Sequence, residues 1–122
     1  EYLRKKYICK NQIKKGINGG KSAIEFIKKG HSTSFKYHKL KTEVLFLQKG
    51  EAEVIFGDEY SLHDKIAHPI KTKTIVSGNS LMVQSGCPYR IHALTDCEII
   101  EIGDNASDKP VRIEDDYGRA AE

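Results

Sequence analysis

The sequence has no tryptophan, one methionine and three prolines, and its longest unbroken apolar run is four residues, Val44 to Leu47. A run that short can neither cross a bilayer nor form the core of a signal peptide, so a cytoplasmic chain with no membrane partner is expected. Charge of one sign is also lacking. Twenty Lys and Arg stand against seventeen Asp and Glu, and a net charge of +3 is too small to imply a nucleic-acid partner. Cysteine is scarce and unpatterned: Cys9, Cys87 and Cys97 are odd in number and widely spaced. That excludes a disulfide framework and a CxxC metal ribbon, and suits free structural thiols in a reducing compartment. No base lies near any of them in sequence to make a nucleophile.

What remains is a chain of 122 residues, 39% hydrophobic and 30% charged, the balance and length of one globular domain. Residues 1–21 are strongly basic (Arg4, Lys5, Lys6, Lys10, Lys14, Lys15, Lys21) and carry Gly16, Gly19 and Gly20, which predicts a solvated N-terminal arm. From Ser22 the pattern changes to short runs of β-branched and aromatic residues. Ala23–Ile27, Val44–Leu47, Ala52–Phe56, Thr72–Val76, Leu81–Val83 and Ile99–Ile102 each end at a turn signal, most of them containing glycine. Short strands at spacings of about ten residues predict an all-β sandwich or barrel over 22–122. No window carries a 3.6-residue apolar stripe. The polar stretch from Asp58 to Lys73 reads as a long loop between two halves.

Two segments carry more than composition. The first runs Gly30-His31-Ser32-Thr33-Ser34-Phe35-Lys36-Tyr37-His38, then a four-residue gap, Glu43, six residues and Gly50. The second runs from Gly78 through Gln84-Ser85-Gly86 to Cys87-Pro88-Tyr89-Arg90-Ile91-His92. Together they resemble the two cupin motifs, in which Gly, HxH, Glu and Gly at these spacings are followed by a PxG turn and a further His. The tail Pro110-Val111-Arg112-Ile113-Glu114-Asp115-Asp116-Tyr117-Gly118-Arg119 is similar to the run RxEDxYGR. That run closes the C-terminal cupin domain of type II mannose-6-phosphate isomerases and small sugar-phosphate cupins. The stretch Pro88 to Glu101 is similar to the same group's PHRIxAxxDxxIIE. The resemblance implies a single-domain cupin, a double-stranded β-helix or jelly roll, acting on a phosphorylated or nucleotide-linked sugar. A homodimer is also implied, and Val44 and Phe46 alternating with Leu45 and Leu47 leave an apolar outer face to cover.

The family's metal ligands fall here on Lys36, His38, Glu43 and Tyr89. Only His38 and Glu43 keep ligand chemistry, and a Zn, Mn or Fe site generally takes about three protein ligands or more. The expectation is therefore no cofactor; were a metal present, His38 and Glu43 would hold it. Strand alternation puts Tyr89 and Ile91 on one face and Arg90 and His92 on the other, so His92 does not restore the count. Lys36 and His38 share a face and, with Glu43 and Tyr89, form a cluster suited to proton transfer. His38 would be the base, Tyr89 the acid, and Lys36 the stabiliser of an enolate oxygen or a phosphate.

The alternative is a non-catalytic carbohydrate-binding or sensor cupin in which a Lys36–Glu43 ion pair fills the vacated metal site. Arg90 is the candidate contact for a substrate anion. Arg112 and Arg119 read as tail salt-bridge partners of Glu114, Asp115 and Asp116, Tyr117-Gly118 as a packed turn, and Lys39 and Lys41 as solvated. His31, His63 and His68 fall in loops without partners at ligand spacing.

Overall fold

A computed structural model describes residues 9–15, 21–104, 109–116 and 118, with the backbone alone for 9–15 and 21. Ten strands follow one another: β1 (Cys9–Lys15), β2 (Lys21–Ile27), β3 (Phe35–Tyr37), β4 (Glu43–Lys49), β5 (Glu51–Phe56), β6 (Lys71–Val76), β7 (Ser80–Val83), β8 (Tyr89–Ala93), β9 (Cys97–Gly103) and β10 (Val111–Glu114). No helix occurs among the described residues. The strands form two five-stranded sheets, in the orders β1-β2-β9-β4-β7 and β10-β3-β8-β5-β6. Every strand pair is antiparallel. From β2 onward the chain changes sheet at each connection except β5 to β6, which is the winding of a jelly roll.

Period-2 alternation builds each inner face. Along β4, Glu43, Leu45 and Leu47 are buried; along β8, Tyr89, Ile91 and Ala93 are buried, while Arg90 and His92 face outward and are half-buried. The core joins Ile27, Leu45, Leu47 and Ile99 of the first sheet to Val54, Ile75, Ile91 and Ala93 of the second. This apolar filling is densest where β4 ends and β9 begins. There Gly50 turns the chain from one sheet to the other at φ 102°. A Cβ at Gly50 would strike the Asp96 carbonyl and lie 2.9 Å from Cys97 Sγ and Thr95 Oγ1, so glycine is required both by conformation and by space.

Two segments differ from their sequence reading. Cys9–Lys15, part of the expected solvated arm, forms β1 and pairs with β2 from Cys9↔Ile27 to Lys15↔Lys21. A backbone ladder ignores side-chain charge, so a basic run can still supply an edge strand. The remainder of the arm, 1–8 and 16–20, lies outside the described residues. The loop expected from Asp58 to Lys73 ends earlier: the strand expected at Thr72–Val76 is β6, begun one residue sooner at Lys71, and its Lys71-Thr72-Lys73-Thr74 stretch forms an exposed, charged sheet edge. Such an edge carries no apolar alternation and resists pairing with other chains. The shorter loop, 57–70, is tied by His68 Nδ1 to Asp58 Oδ2 at 2.8 Å and by Asp58 N–H donating to Ser61 Oγ at 2.9 Å. His68 therefore has a carboxylate partner that sequence spacing did not reveal.

Candidate functional site

The end of the barrel opposite Gly50 is where β3 and β9 finish and β4 and β8 begin, and here the inner faces turn from apolar to ionisable. Glu43 and Tyr89 are the first residues of their strands, and Lys36 pairs across the ladder with Tyr89. His38 follows β3, and its carbonyl accepts the Gly86 N–H at 2.6 Å, which joins the 38–42 loop to the 84–88 loop. Glu43, His38 and Tyr89 are all buried, Tyr89 to 1% exposure.

Glu43 is the hub of the cluster. Its Oε1 accepts the Tyr89 hydroxyl at 3.1 Å and lies 3.4 Å from His38 Nε2, while its Oε2 lies 3.5 Å from Lys41 Nζ. Lys36 Nζ sits 4.7 Å from the centre of the Tyr89 ring, a cation–π contact rather than an ion pair with Glu43. Burial, reinforced by the nearby Glu43, Glu101 and Glu25 carboxylates, pushes the Tyr89 phenol well above its ordinary range. The phenol therefore keeps its proton and donates it to Glu43.

Lys41, expected in solvent, lies inside the cluster. Its aliphatic stem occupies the space a Cβ at Gly103 would fill. Arg90 is not brought to the site. It points outward from β8, donating through Nε to the Thr33 carbonyl at 2.9 Å and through Nη2 to the Glu114 carbonyl at 3.3 Å. Its guanidinium also lies 3.7 Å from the Glu114 carboxylate and 3.5 Å from Asp116. Arg90 thus fastens the acidic tail, a role that sequence reading gave to Arg112 and Arg119 and not to Arg90. Arg112 stands opposite Lys36 in the ladder, its Nε buried; Arg119 and Tyr117 lie outside the described residues. His92 faces away from the cluster and shares a 2.6 Å hydrogen bond with Ser32 Oγ. Cys87 and Cys97 are free thiols whose pKa burial pushes up, which opposes thiolate chemistry.

Glu25 and Glu101 also belong to this interior and were not singled out from sequence. Both interrupt inward-facing apolar positions, Ala23-Glu25-Ile27 on β2 and Cys97-Ile99-Glu101 on β9. That parity was the available signal.

The donor set does not fit a divalent metal. Of the four positions the resemblance assigns to ligands, one holds a lysine ammonium and one a phenol that keeps its proton. Both Glu43 oxygens already have partners, Lys41 among them. Among the described residues no group of three or more His, Cys, Asp or Glu is arranged to hold a metal ion. No helix of the described residues is long and apolar enough to cross a membrane.

Comparison with known proteins places the fold. No family model and no curated protein matches the sequence. Solved structures do match. A cupin 2 domain-containing protein from Halorhodospira halophila superposes with a TM-score of 0.71 at 17% identity, over 89% of this chain and 72% of that one. A Klebsiella pneumoniae protein with a double-stranded β-helix domain gives 0.70 at 10% identity, over 88% and 80%. KdgF from Halomonas sp. gives 0.66 at 13% identity, over 82% and 81%. With two antiparallel sheets wound as a jelly roll, the chain has the cupin fold. Identities this low speak for the fold alone.

Proposed function

We propose that this cupin binds a phosphorylated or nucleotide-linked sugar at the open end of its barrel and isomerises or epimerises it by proton transfer, without a metal cofactor. The observation that carries the reading is Glu43 placed between the Tyr89 hydroxyl and the His38 ring. His38 is the base that takes a proton α to the sugar carbonyl, and the Glu43 carboxylate beside it stabilises the imidazolium that forms. Tyr89, its phenol held protonated by burial, is the acid that returns a proton to the enolate. Lys36, over the Tyr89 ring, supplies positive charge for the enolate oxygen or a phosphate. A cavity of about 190 Å³ bounded by Phe56, Leu81, Val83, Cys87 and Tyr89 adjoins the cluster and offers an apolar wall to a sugar ring. The similarity to mannose-6-phosphate isomerase cupins in the tail and in Pro88 to Glu101 supports the sugar class.

A second reading, a carbohydrate-binding or sensor cupin without turnover, is favoured by the retention of only His38 and Glu43 from the metal-ligand set. One experiment separates the two. A thermal-shift panel of sugar phosphates and nucleotide sugars finds the ligand, because a ligand at a hundred times its Kd stabilises by about 2.7 kcal/mol. His38→Asn is then expected to abolish turnover of that ligand and leave its binding measurable. Binding without turnover by the wild-type chain selects the sensor reading. A panel with no hit removes the sugar assignment.

The same proposal places the protein in the cytoplasm as a homodimer. On the outer face of the first sheet, Val44 sits between Met82 and Ile102 in the ladder, and Phe46 lies on the same face. Met82 is 66% and Ile102 53% exposed. A second copy presenting the same apolar patch would cover it about a two-fold axis.

A further inference from the structure

The inner face of the first sheet carries two glutamates that the proton-transfer scheme leaves unused. Across the β2–β9 ladder, Glu101 stands opposite Ala23 and Glu25 opposite Ile99, so the two are diagonal neighbours on one face. Across the β9–β4 ladder, Glu101 stands opposite Leu45 and Glu43 opposite Gly103, so Glu43 is the next diagonal neighbour. Glu25 is 7% exposed, so its carboxyl group stands beside that of Glu101 on a face turned away from water. Two carboxylates side by side on a buried face repel, and one proton held between them relieves that repulsion.

The described groups facing the pair are Glu43 from β4, Lys36 and His38 from β3 and its loop, Tyr89 from β8, Arg112 from β10, and Lys41 over Gly103. Burial first, then the charge and hydrogen bond of Glu25, then the charge of Glu43, push the Glu101 carboxyl well above its ordinary range; the Lys36 ammonium pulls the other way.

We propose that Glu25 and Glu101 share one proton at neutral pH and act as a positioning pair for the site, sparing Glu43 a second full charge on the same buried face. Glu43 is then left as the carboxylate that holds Tyr89 and His38 in place. Two full charges on the pair would draw Lys36 from the Tyr89 ring and compete with Glu43 for Lys41, pulling the cluster apart. The consequence for catalysis rests on the proton-transfer reading; the shared proton rests on the register and burial of the two side chains and not on that reading.

Infrared spectroscopy of the unliganded protein tests it. Wild type at neutral pH is expected to show the carbonyl band of a protonated carboxyl, and Glu101→Gln and Glu25→Gln are each expected to lose it. Absence of the band in wild type, or its persistence in both variants, overturns the proposal. If either variant fails to fold, carboxyl-labelled glutamate in the wild-type protein decides by NMR. One glutamate titrating well above the others supports the pair; all titrating in the ordinary range refutes it. Neither measurement needs a ligand, so this result is independent of the sugar panel. Once a substrate is in hand, the turnover of Glu101→Gln is expected to extend further on its alkaline limb than that of wild type; an unchanged pH profile removes the positioning role.

Discussion

Tyr89→Phe removes one oxygen from a side chain that is 1% exposed and leaves its ring in place. The aromatic packing and the Lys36 contact at 4.7 Å therefore survive, and what is lost is the hydroxyl donated to Glu43 at 3.1 Å. A hydrogen bond to a charged acceptor contributes about 1.5–3 kcal/mol, and a buried carboxylate that loses a donor also bears part of its desolvation cost. His38 at 3.4 Å and Lys41 at 3.5 Å still face Glu43 and offset part of that. The expected loss is about 2 kcal/mol, which in a domain of this size lowers Tm by roughly 4–10 °C. Urea unfolding should show a lower midpoint at unchanged slope. Glu43→Gln keeps an acceptor at the same place without the charge, so Tyr89→Phe should cost less in that background, by about 1 kcal/mol. A Tyr89→Phe variant within about 0.3 kcal/mol of wild type, or an equal cost in both backgrounds, would refute the view of Glu43 as the hub.

Two further perturbations probe the rest of the barrel. Gly50→Ala must place a Cβ at φ 102° and against the Asp96 carbonyl, and is expected to cost about 2–4 kcal/mol in urea unfolding; a variant as stable as wild type would show that the turn relaxes without cost. Glu101, whose folded pKa is raised above the ordinary glutamate value of 4.5, contributes stability that is fully present below that value and is lost as pH rises through the folded pKa. Glu101→Gln should therefore gain on wild type in Tm as pH rises from acid to alkaline, and a pH-independent difference between the two would contradict it.

Some of this was legible in residue order because it depends on local periodicity. The inward face of β8 follows from alternation starting at Tyr89, and His92 lies outside the cluster for the same reason. The strands at Val44–Leu47 and Ala52–Phe56 were equally plain, since buried β-branched and aromatic runs end at glycine turns. β6 was legible at Thr72–Val76, but β1 was not, because at a sheet edge the backbone ladder holds the strand and the side chains can stay charged. Lys41 was missed because a lysine in a loop reads as solvated until its carboxylate partner and the opening left by Gly103 are known.

By itself the sequence determined an all-β domain of short alternating strands, while the jelly roll and the grouping of Lys36, His38, Glu43 and Tyr89 were implied by the resemblance of its motifs to those of cupins. Alternation along a strand is set by backbone geometry and needs no knowledge of neighbours. Only the tertiary structure decided the partners. It gave Lys36 to the Tyr89 ring rather than to Glu43, turned Arg90 outward onto the tail, and set Glu25 diagonally beside Glu101. Those outcomes depend on register between strands far apart in sequence. A shift of one residue would send each of these side chains to the other face, and nothing local to either strand records the choice.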